Sequence, residues 1–323
     1  MSSFSMTTYY TLAELKKRMV DGNIQDIMEV LAQSRHLVED AVFLEANQTA
    51  SHVGIRRTSL PSGTHRQANQ GVAAHSSTTR QISEPITRLE DHSKVDEAIL
   101  DLAADKTKAR SQEDLAFVSG LSQTFETDFF YADIDTTPES IDGLAQRYDA
   151  LSDSYVYDCG GSGDDTTSLW IVDWGPKATH MVYPKGSAAG LQTTDHGRQL
   201  TTLDSGTTHF FAWFTQFVWW YGLFISDDRN IQRIANIETS GSENTLDDDL
   251  MIEAVNNMVV GSAMVNRRIY CNRTLKTQLD IMAKDKANVN YTSSNAFGEP
   301  VTQFVGVPIR LAEGLVNTET AIT

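Results

Sequence analysis

The amino-acid sequence predicts an α+β fold, in which helices and strands do not alternate as regular βαβ units. Three observations predict it. A long amphipathic helical pattern lies within the first half of the chain, and strand-like segments dominate after residue 166. A long polar segment near the N-terminus fits neither pattern. The chain has 323 residues, which is enough to bury a core without disulfides or metals.

The strongest helical pattern runs from Ser93 to Asp128. Its apolar residues recur at helical spacing and predict one continuous stripe: Val95, Ile99, Leu102, Ala103, Ala109, Ala116, Phe117, Leu121 and Phe125. Ser93 is the expected N-cap, with Asp96 three residues later. At 1.5 Å per residue, some 30 residues of this pattern would form a helix of about 45 Å, which is longer than most globular helices.

The second half of the sequence reads mainly as strands. The predicted strands are Thr167–Trp174, His180–Tyr183, Thr207–Ile225, Ile231–Ile237 and Val301–Ile309. Two further helices are predicted at Leu246–Val265, where Asp247, Asp248 and Asp249 suit the first turn, and at Arg273–Lys284. The run His209–Ile225 is too short and too interrupted for a membrane helix, and its aromatic residues favour a buried strand.

Residues Thr11–Asn47 carry apolar residues at helical spacing, and Gly22–Asn23 is expected to divide them into two helices. The segment could be an ordinary amphipathic helix pair or an arm that crosses a neighbouring subunit. Met1–Tyr10 has no basic stretch followed by an apolar core, so no secretory signal is expected.

Residues Thr49–Arg88 are polar and rich in turn-forming residues. Short strand-like stretches at Val53–Leu60 and Thr78–Ser83 predict an extended hairpin. Two strands without a hydrophobic face cannot fold alone, so this hairpin needs a surface to lie on. The alternative is a flexible, solvated loop, although structureless loops of this length are uncommon in compact domains.

The hairpin segment has the opposite charge to the rest of the chain. It contains Arg56, Arg57, Arg66, Arg80 and Arg88 but a single acid, Glu84, for a net charge of +4. The whole chain carries −17, so the remainder carries −21. Opposite charges favour contact between the hairpin of one copy and the acidic body of another. The five arginines are therefore the predicted inter-subunit contact residues.

An acidic stretch from Glu126 to Asp142 is the candidate partner surface. Its predicted contact residues are Asp133, Asp135, Glu139 and Asp142. The spacing of Asp133 and Asp135 hints at a calcium loop, but Pro138 follows and the required glycine and terminal glutamate are absent. A solvated acidic face is the favoured interpretation, and no metal is predicted.

No catalytic or cofactor-binding motif is found. The glycine-rich stretch Asp158–Asp165 lacks the lysine that ends a phosphate-binding loop, and acids flank it. The two cysteines, Cys159 and Cys271, have no metal-binding or redox spacing and are expected to be reduced thiols. The net negative charge disfavours a protein that binds DNA phosphates directly. The sequence therefore predicts no enzyme and no cofactor.

The order of segments resembles major capsid proteins of tailed phages of the Hong Kong 97 type, especially the branch of short-tailed phages. The residues that carry this resemblance follow the long helical pattern or lie within it. They are Glu113–Ser122, Phe129–Asp133, Gly143–Tyr148, Trp170–Gly175, Tyr183–Ser187, Arg233–Ile237 and Gly306–Arg310.

The resemblance implies the Hong Kong 97-like fold, with residues 1–48 as an N-terminal arm, 49–92 as an extended loop, 93–131 as the spine helix of a peripheral domain, and 132–323 as an axial domain plus returning peripheral strands. It implies hexamers and pentamers of an icosahedral head that encloses double-stranded DNA without reading its sequence. The implied partners are copies of itself, a portal, and scaffolding and cement proteins. It also implies assembly in the bacterial host cytoplasm and a final location in the virion, without a membrane.

The resemblance leaves two points open. A non-viral protein nanocompartment has a shell of the same fold, so it is the alternative function. No lysine, Lys185 included, can be paired with an asparagine for the covalent cross-link that some members make, so none is predicted.

Overall fold

The structure is a computed structural model that describes residues 19–20, 23–24, 36–103, 105–202, 209–241, 243–258, 266–285, 291–296 and 299–323. The chain divides into two compact units. The first unit comprises residues 1–35, 88–127 and 190–220, and the second comprises residues 36–87, 128–189 and 221–323. The chain therefore passes several times between the units.

The described helices and strands follow in chain order. The helices are α1 (His36–Asp40), α2 (Glu97–Asp101), α3 (Lys106–Tyr131), α4 (Leu144–Arg147), α5 (Asp248–Asn257) and α6 (Arg273–Asp285). The strands are β1 (Met19–Val20), β2 (Asn23–Ile24), β3 (Phe43–Glu45), β4 (Ser51–Ser59), β5 (Thr78–Pro85), β6 (Thr87–Asp96), β7 (Val156–Asp158), β8 (Thr166–Asp173), β9 (Thr179–Tyr183), β10 (Leu191–Thr202), β11 (His209–Ile225), β12 (Ile231–Glu238), β13 (Arg267–Cys271), β14 (Tyr291–Ala296), β15 (Glu299–Phe304) and β16 (Val307–Leu311).

In the first unit, α3 packs on one face of the sheet formed by β6, β10 and β11. β10 pairs antiparallel with β11 from Leu191–Trp219 to Thr202–His209, and β6 also pairs with β11. Alternate residues of β11 face the helix: Phe217 stacks on Phe117 at a centroid distance of 5.9 Å, and Trp219 stacks on Phe125 at 4.5 Å. This contact explains the aromatic density of β11. None of the described helices combines the length and the apolar character that crossing a bilayer requires.

The long helix begins later than its apolar stripe predicts. Ser93 is buried in β6 rather than at an N-cap, and Asp96 caps the separate short helix α2 by accepting from the backbone N–H of Ala98 at 2.9 Å. Asp105 then accepts from the N–H groups of Thr107 and Lys108, which starts α3. A second capping acid thus interrupts the predicted continuous helix.

Not every residue of the predicted stripe is buried. Leu102 is 59% exposed in the break between α2 and α3, and Ala116 is exposed on α3. The stripe prediction holds for the residues that contact the sheet, including Leu121 and Phe125.

The second unit is built on a seven-stranded mixed sheet in the order β14-β15-β16-β13-β8-β12-β7. β8 and β12 are central and nearly all their residues are buried, polar ones included. Successive side chains of β8 point to opposite faces of the sheet, and each face carries its own hydrophobic core. Leu169 and Ile171 pack with α5 and α6, whereas Trp170 and Trp174 lie among aromatic side chains that include Phe129 and Phe130.

The chain end is held against this sheet by a buried polar network, here called the C-terminal clasp (Tyr131, Ser168, Arg233 and Glu319). Arg233 Nη2 lies 3.0 Å from Glu319 Oε2, and Arg233 Nε donates to Ser168 Oγ at 3.0 Å. Tyr131 and Ser168 both donate to the Glu319 carboxylate. Burial and the neighbouring carboxylate raise the pKa of Tyr131, so its hydroxyl remains a donor.

The strand predictions are largely confirmed, from β8 and β9 to β11, β12 and the β15–β16 hairpin. The predicted Arg273–Lys284 helix is α6. The Leu246–Val265 helix is shorter, because α5 ends at Asn257, and residues 259–265 lie outside the described part. Strand β10 was not predicted, because its residues are mostly polar and lack an apolar alternation.

The predicted N-terminal helices are wrong where the chain is described before residue 36. Residues 19–20 and 23–24 form a small antiparallel strand pair around the predicted division at Gly22–Asn23. Within Thr11–Asn47, only His36–Asp40 is a described helix, and Phe43–Glu45 is a strand. The other residues of this segment up to residue 35 fall outside the described part.

Candidate inter-subunit surface

The polar segment near the N-terminus folds as the predicted extended hairpin. β4 and β5 pair antiparallel from Ser51–Pro85 to Ser59–Thr78. Residues 60–77 connect the strands and are all exposed, and are called the hairpin tip. Because strand residues alternate between faces, the hairpin has an inner face that meets its own unit and an outer face that does not.

The inner face packs on β11 and β9 through aromatic contacts. His52 lies edge-on to Phe224 at a centroid distance of 4.6 Å, and His180 lies 5.2 Å from the same ring. A Cβ at Gly54 would lie 2.2 Å from Phe224 Cζ, so glycine permits this close approach. Burial lowers the pKa of His52, and burial together with His52 lowers the pKa of His180 to about 4.

Two ion pairs of opposite polarity hold the inner face. Arg56 of β4 donates to both carboxylate oxygens of Asp228, at 2.9 and 2.7 Å. In return, Arg147 of α4 donates to both oxygens of Glu84 of β5, at 2.8 and 2.6 Å. The Arg147–Glu84 pair is bidentate, with one nitrogen on each oxygen, whereas Arg56 uses Nη1 for both oxygens. A bidentate pair fixes geometry as well as charge. The hairpin root, defined as His52, Gly54, Arg56 and Glu84, is therefore anchored within its own chain.

The expectation that the hairpin has no partner in its own molecule is consequently wrong for its root. Arg56 is engaged by Asp228, and Arg88 lies outside the hairpin, in β6, where it pairs with Glu90 at 2.6 Å. Arg66 donates to the carbonyl oxygen of Gln70 at 2.6 Å within the tip. The five predicted arginines do not form one patch.

The outer face and the tip carry the surface that remains available. Ile55 and Leu60 are each 75% exposed, and Val72 is 55% exposed. Arg57 on the outer face is also exposed. Arg80 lies directly opposite Arg56 on the inner face but is exposed as well, and within the described part of the chain neither Arg57 nor Arg80 makes an ion pair. Exposed apolar residues beside cations are typical of a surface that a partner covers.

The predicted acidic surface is a local loop after α3. Asp135 and Glu139 are exposed, as the prediction requires. Asp133 accepts from the N–H of Asp135 at 2.8 Å and the hydroxyl of Thr136 at 2.6 Å, and these hydrogen bonds lower its pKa. Asp142 accepts from the N–H of Ile134 at 3.2 Å. These hydrogen bonds hold the loop backbone in a turn and favour the charged form of Asp133.

The preceding part of the acidic stretch is buried. Glu126 is 4% exposed, and Asp128 accepts a hydrogen bond from the hydroxyl of Tyr221. Burial raises the pKa of Asp128. These two residues stabilise the fold and belong to no acidic surface.

The sequence prediction missed the partners of the hairpin root. Asp228 lies 172 residues from Arg56, and Arg147 lies 63 residues from Glu84. No spacing rule connects residues so far apart. One signal was present, because Glu84 is the single acid of a cationic segment and such a residue commonly has a specific basic partner.

Among the described residues, the two cysteines and the acidic cluster of α5 form no reactive site. Cys159 and Cys271 are free, and burial raises the pKa of their thiols to about 11 and about 12. Such thiols are poor nucleophiles. Asp247, Asp248 and Asp249 cluster at the start of α5, where Asp247 caps the helix and the helix dipole favours acids.

The family model described as major capsid protein GP7 matches residues 20–323. The chain belongs to the major capsid protein GP7 family. It is therefore a structural shell protein of a phage capsid, and its place is the virion. No curated protein sequence is significantly similar to it.

Solved structures agree with this GP7-family membership. A chain from the cryo-EM structure of bacteriophage epsilon15 shares 25% identity over all of both chains, with a TM-score of 0.78. A chain of the bacteriophage JBD30 capsid shares the fold at 11% identity and a TM-score of 0.52, covering 90% of this chain and 95% of that one. An encapsulin from Synechococcus elongatus is 7% identical at a TM-score of 0.48, covering 73% and 99%, and carries no argument for a cargo container.

Proposed function

We propose that this shell protein forms the hexamers and pentamers of an icosahedral head, and that the outer face and tip of the hairpin lie on a neighbouring copy. The exposed apolar side chains of Ile55, Leu60 and Val72 support this proposal, together with Arg57 on the outer face and the exposed Arg80 of the inner face next to the tip. A lone copy would leave these apolar side chains in water, whereas a closed shell repeats the same contact for every subunit.

The acidic loop of the adjacent copy is the proposed partner of the free arginines. Asp135 and Glu139 are exposed there, while Asp133 is held charged by its turn. Each exposed ion pair would contribute only about 0–1 kcal/mol, so the apolar contacts supply most of the stabilisation. The arginines determine orientation and partner choice.

The proposal extends to domains, cargo and partners. The first unit would correspond to most of the peripheral domain with its spine helix, and the second would contain the axial domain and the extended hairpin. The net charge of −17 suits walls that repel double-stranded DNA and leave it free to exit. A portal, scaffolding and cement proteins would complete the head. Two reduced thiols suit assembly in a bacterial cytoplasm, and the protein would catalyse no reaction.

The test is assembly of a charge-reversed hairpin. Arg57→Glu with Arg80→Glu should lower the yield of shells, seen by electron microscopy and sedimentation, because it brings like charges together at each contact. The matched control is Lys177→Glu with Lys185→Glu, which changes net charge equally at exposed positions outside the hairpin. Shell yields equal to wild type for the hairpin variant, or equally reduced for both variants, would contradict the hairpin contact.

The content of purified shells tests the rest of the proposal. Heads from infected cells should contain double-stranded DNA, detected by nuclease-resistant absorbance. A packaged enzyme in place of DNA would instead identify a nanocompartment.

A further inference from the structure

We propose that strand β10 of one copy pairs antiparallel with β10 of a second copy across a two-fold axis. The inference rests on the proposed function, because it requires copies to meet in a shell. It concerns a different surface from the hairpin and lies entirely in the first unit.

β10 is an edge strand with little protection. In the described part of the chain it pairs with β11 alone and is the last strand of its sheet. It spans 12 residues, and neither lysine nor proline occurs in it. Proteins usually guard long edges with such residues, because an edge presents backbone groups to which another strand can bind.

The two charged residues of β10 do not guard the edge either. Asp195 accepts from Arg110 Nη2 of α3 at 2.9 Å, and this hydrogen bond lowers the pKa of Asp195. Arg198 pairs with Glu97 of α2 at 2.8 Å and lies over the ring of Phe211 at 3.8 Å. Both charges are neutralised over the helix-bearing face of their own sheet.

A bulge makes the strand self-complementary. Asp195 pairs with Thr215 of β11 and Arg198 with Trp213, and the register shifts between Asp195 and Gly197. Thr215 and Trp213 both contact Arg110 of α3, so Asp195 and Arg198 share the helix-bearing face although they are three residues apart. In a regular strand they would lie on opposite faces.

A two-fold axis between His196 and Gly197 uses this arrangement. It would set Asp195 of one copy opposite Arg198 of the other, and Thr193 opposite Leu200, which is 60% exposed. Members of each pair share a face, as antiparallel pairing requires. A row of alternating charges would then form on each side of the axis. It would consist of Arg110 and Asp195 of one copy followed by Arg198 and Glu97 of the second copy.

Disulfide trapping tests the register directly. Thr194 and Gln199 are exposed. Their cross-strand partners in β11, Gln216 and Ala212, lie on the face of the sheet away from the helix, so Thr194 and Gln199 lie on that face too. Across the proposed axis, Thr194 of one copy would be opposite Gln199 of the other. Directly opposed residues have Cα atoms about 4.5–5.5 Å apart, within disulfide reach, whereas positions 194 and 199 of one strand are roughly 16 Å apart. Thr194→Cys with Gln199→Cys, assembled under reducing conditions and then oxidised, should give disulfide-linked dimers on non-reducing gels.

Each single variant is the matched control, because two copies of position 194, or of position 199, would be too far apart to react. The half-buried Cys159 and the buried Cys271 give the wild-type background. Should the double variant fail to assemble, Thr193→Cys with Leu200→Cys reports the same register from the helix-bearing face. Intact shells with no more dimer than the single variants would overturn the pairing while leaving the shell function intact. Absence of shells from wild-type protein would instead count against the proposed function.

Discussion

The hairpin and the C-terminal clasp both use arginine–carboxylate pairs, yet they differ in what surrounds those pairs. In the clasp, the side chains of Arg233 and Glu319 are 3% and 7% exposed, and the hydroxyls of Tyr131 and Ser168 and the backbone carbonyl of Tyr148 make further hydrogen bonds to them. In the hairpin root, Asp228 is half exposed. Beyond the root, Arg57 and Arg80 are exposed. Burial therefore separates a pair that secures the fold from cations that remain available for a neighbour.

Breaking the clasp should have the largest effect. Glu319→Gln would leave Arg233 buried without its counter-charge, which typically costs about 3–5 kcal/mol. Urea unfolding of dissociated capsomers measures it. The control is Glu313→Gln, whose partner Arg273 is 76% exposed, and there a loss below about 1 kcal/mol is expected. Similar losses in both variants would show that burial does not distinguish the two kinds of pair.

Acid should loosen the hairpin root. The pKa of His180 is lowered to about 4, below the value near 6.5 of an unfolded chain. The folded state therefore binds fewer protons between these values, and stability falls as pH drops from about 6.5 to 4, by on the order of 3 kcal/mol. Burial raises the pKa of Asp173 to about 6, so this residue acts in the opposite direction between about pH 3.8 and 6.

His180→Phe separates the two contributions. The variant should lose less stability than wild type between pH 7 and pH 4.5, measured as the change in urea midpoint. Asp173→Asn keeps the destabilisation by His180 in acid and removes the opposing effect of Asp173. This variant should therefore lose more stability than wild type between pH 7 and pH 4.5. A pH dependence unchanged by His180→Phe would exclude this histidine, which lies against the ring of Phe224 beside the root, as the source of the acid sensitivity.

Filling the space at Gly54 should have a smaller effect, confined to the hairpin root. Gly54→Ala places a Cβ within 2.2 Å of Phe224 Cζ, and such overpacking costs about 1–3 kcal/mol. Limited proteolysis should then cut residues 60–77 faster than in wild type. Phe224→Ala removes the ring that the new Cβ would meet. It should therefore lower the free energy of unfolding by less in the Gly54→Ala background than in the wild-type background. Equal costs would mean that the ring does not constrain Gly54.

The sequence predicted those parts of the molecule that local patterns determine. Alternation and aromatic content located β8, β11 and β12, and turn residues with a missing hydrophobic face located the hairpin. Prediction failed where distant residues decide the outcome. Ser93 suits an N-cap, but pairing of β6 with β11 places it in a strand. Likewise, the Arg56–Asp228 and Glu84–Arg147 pairs depend on how β4 and β5 dock, which no local pattern encodes.

The availability of the hairpin to a neighbour is tested most directly by hydrogen exchange, comparing assembled shells with dissociated capsomers. Amides in residues 55–81 should exchange more slowly in shells, because a second copy covers the outer face and the tip. Amides around Arg233 and Glu319, which are buried within one chain, should exchange equally in both states. Equal exchange of residues 55–81 in shells and capsomers would contradict the account.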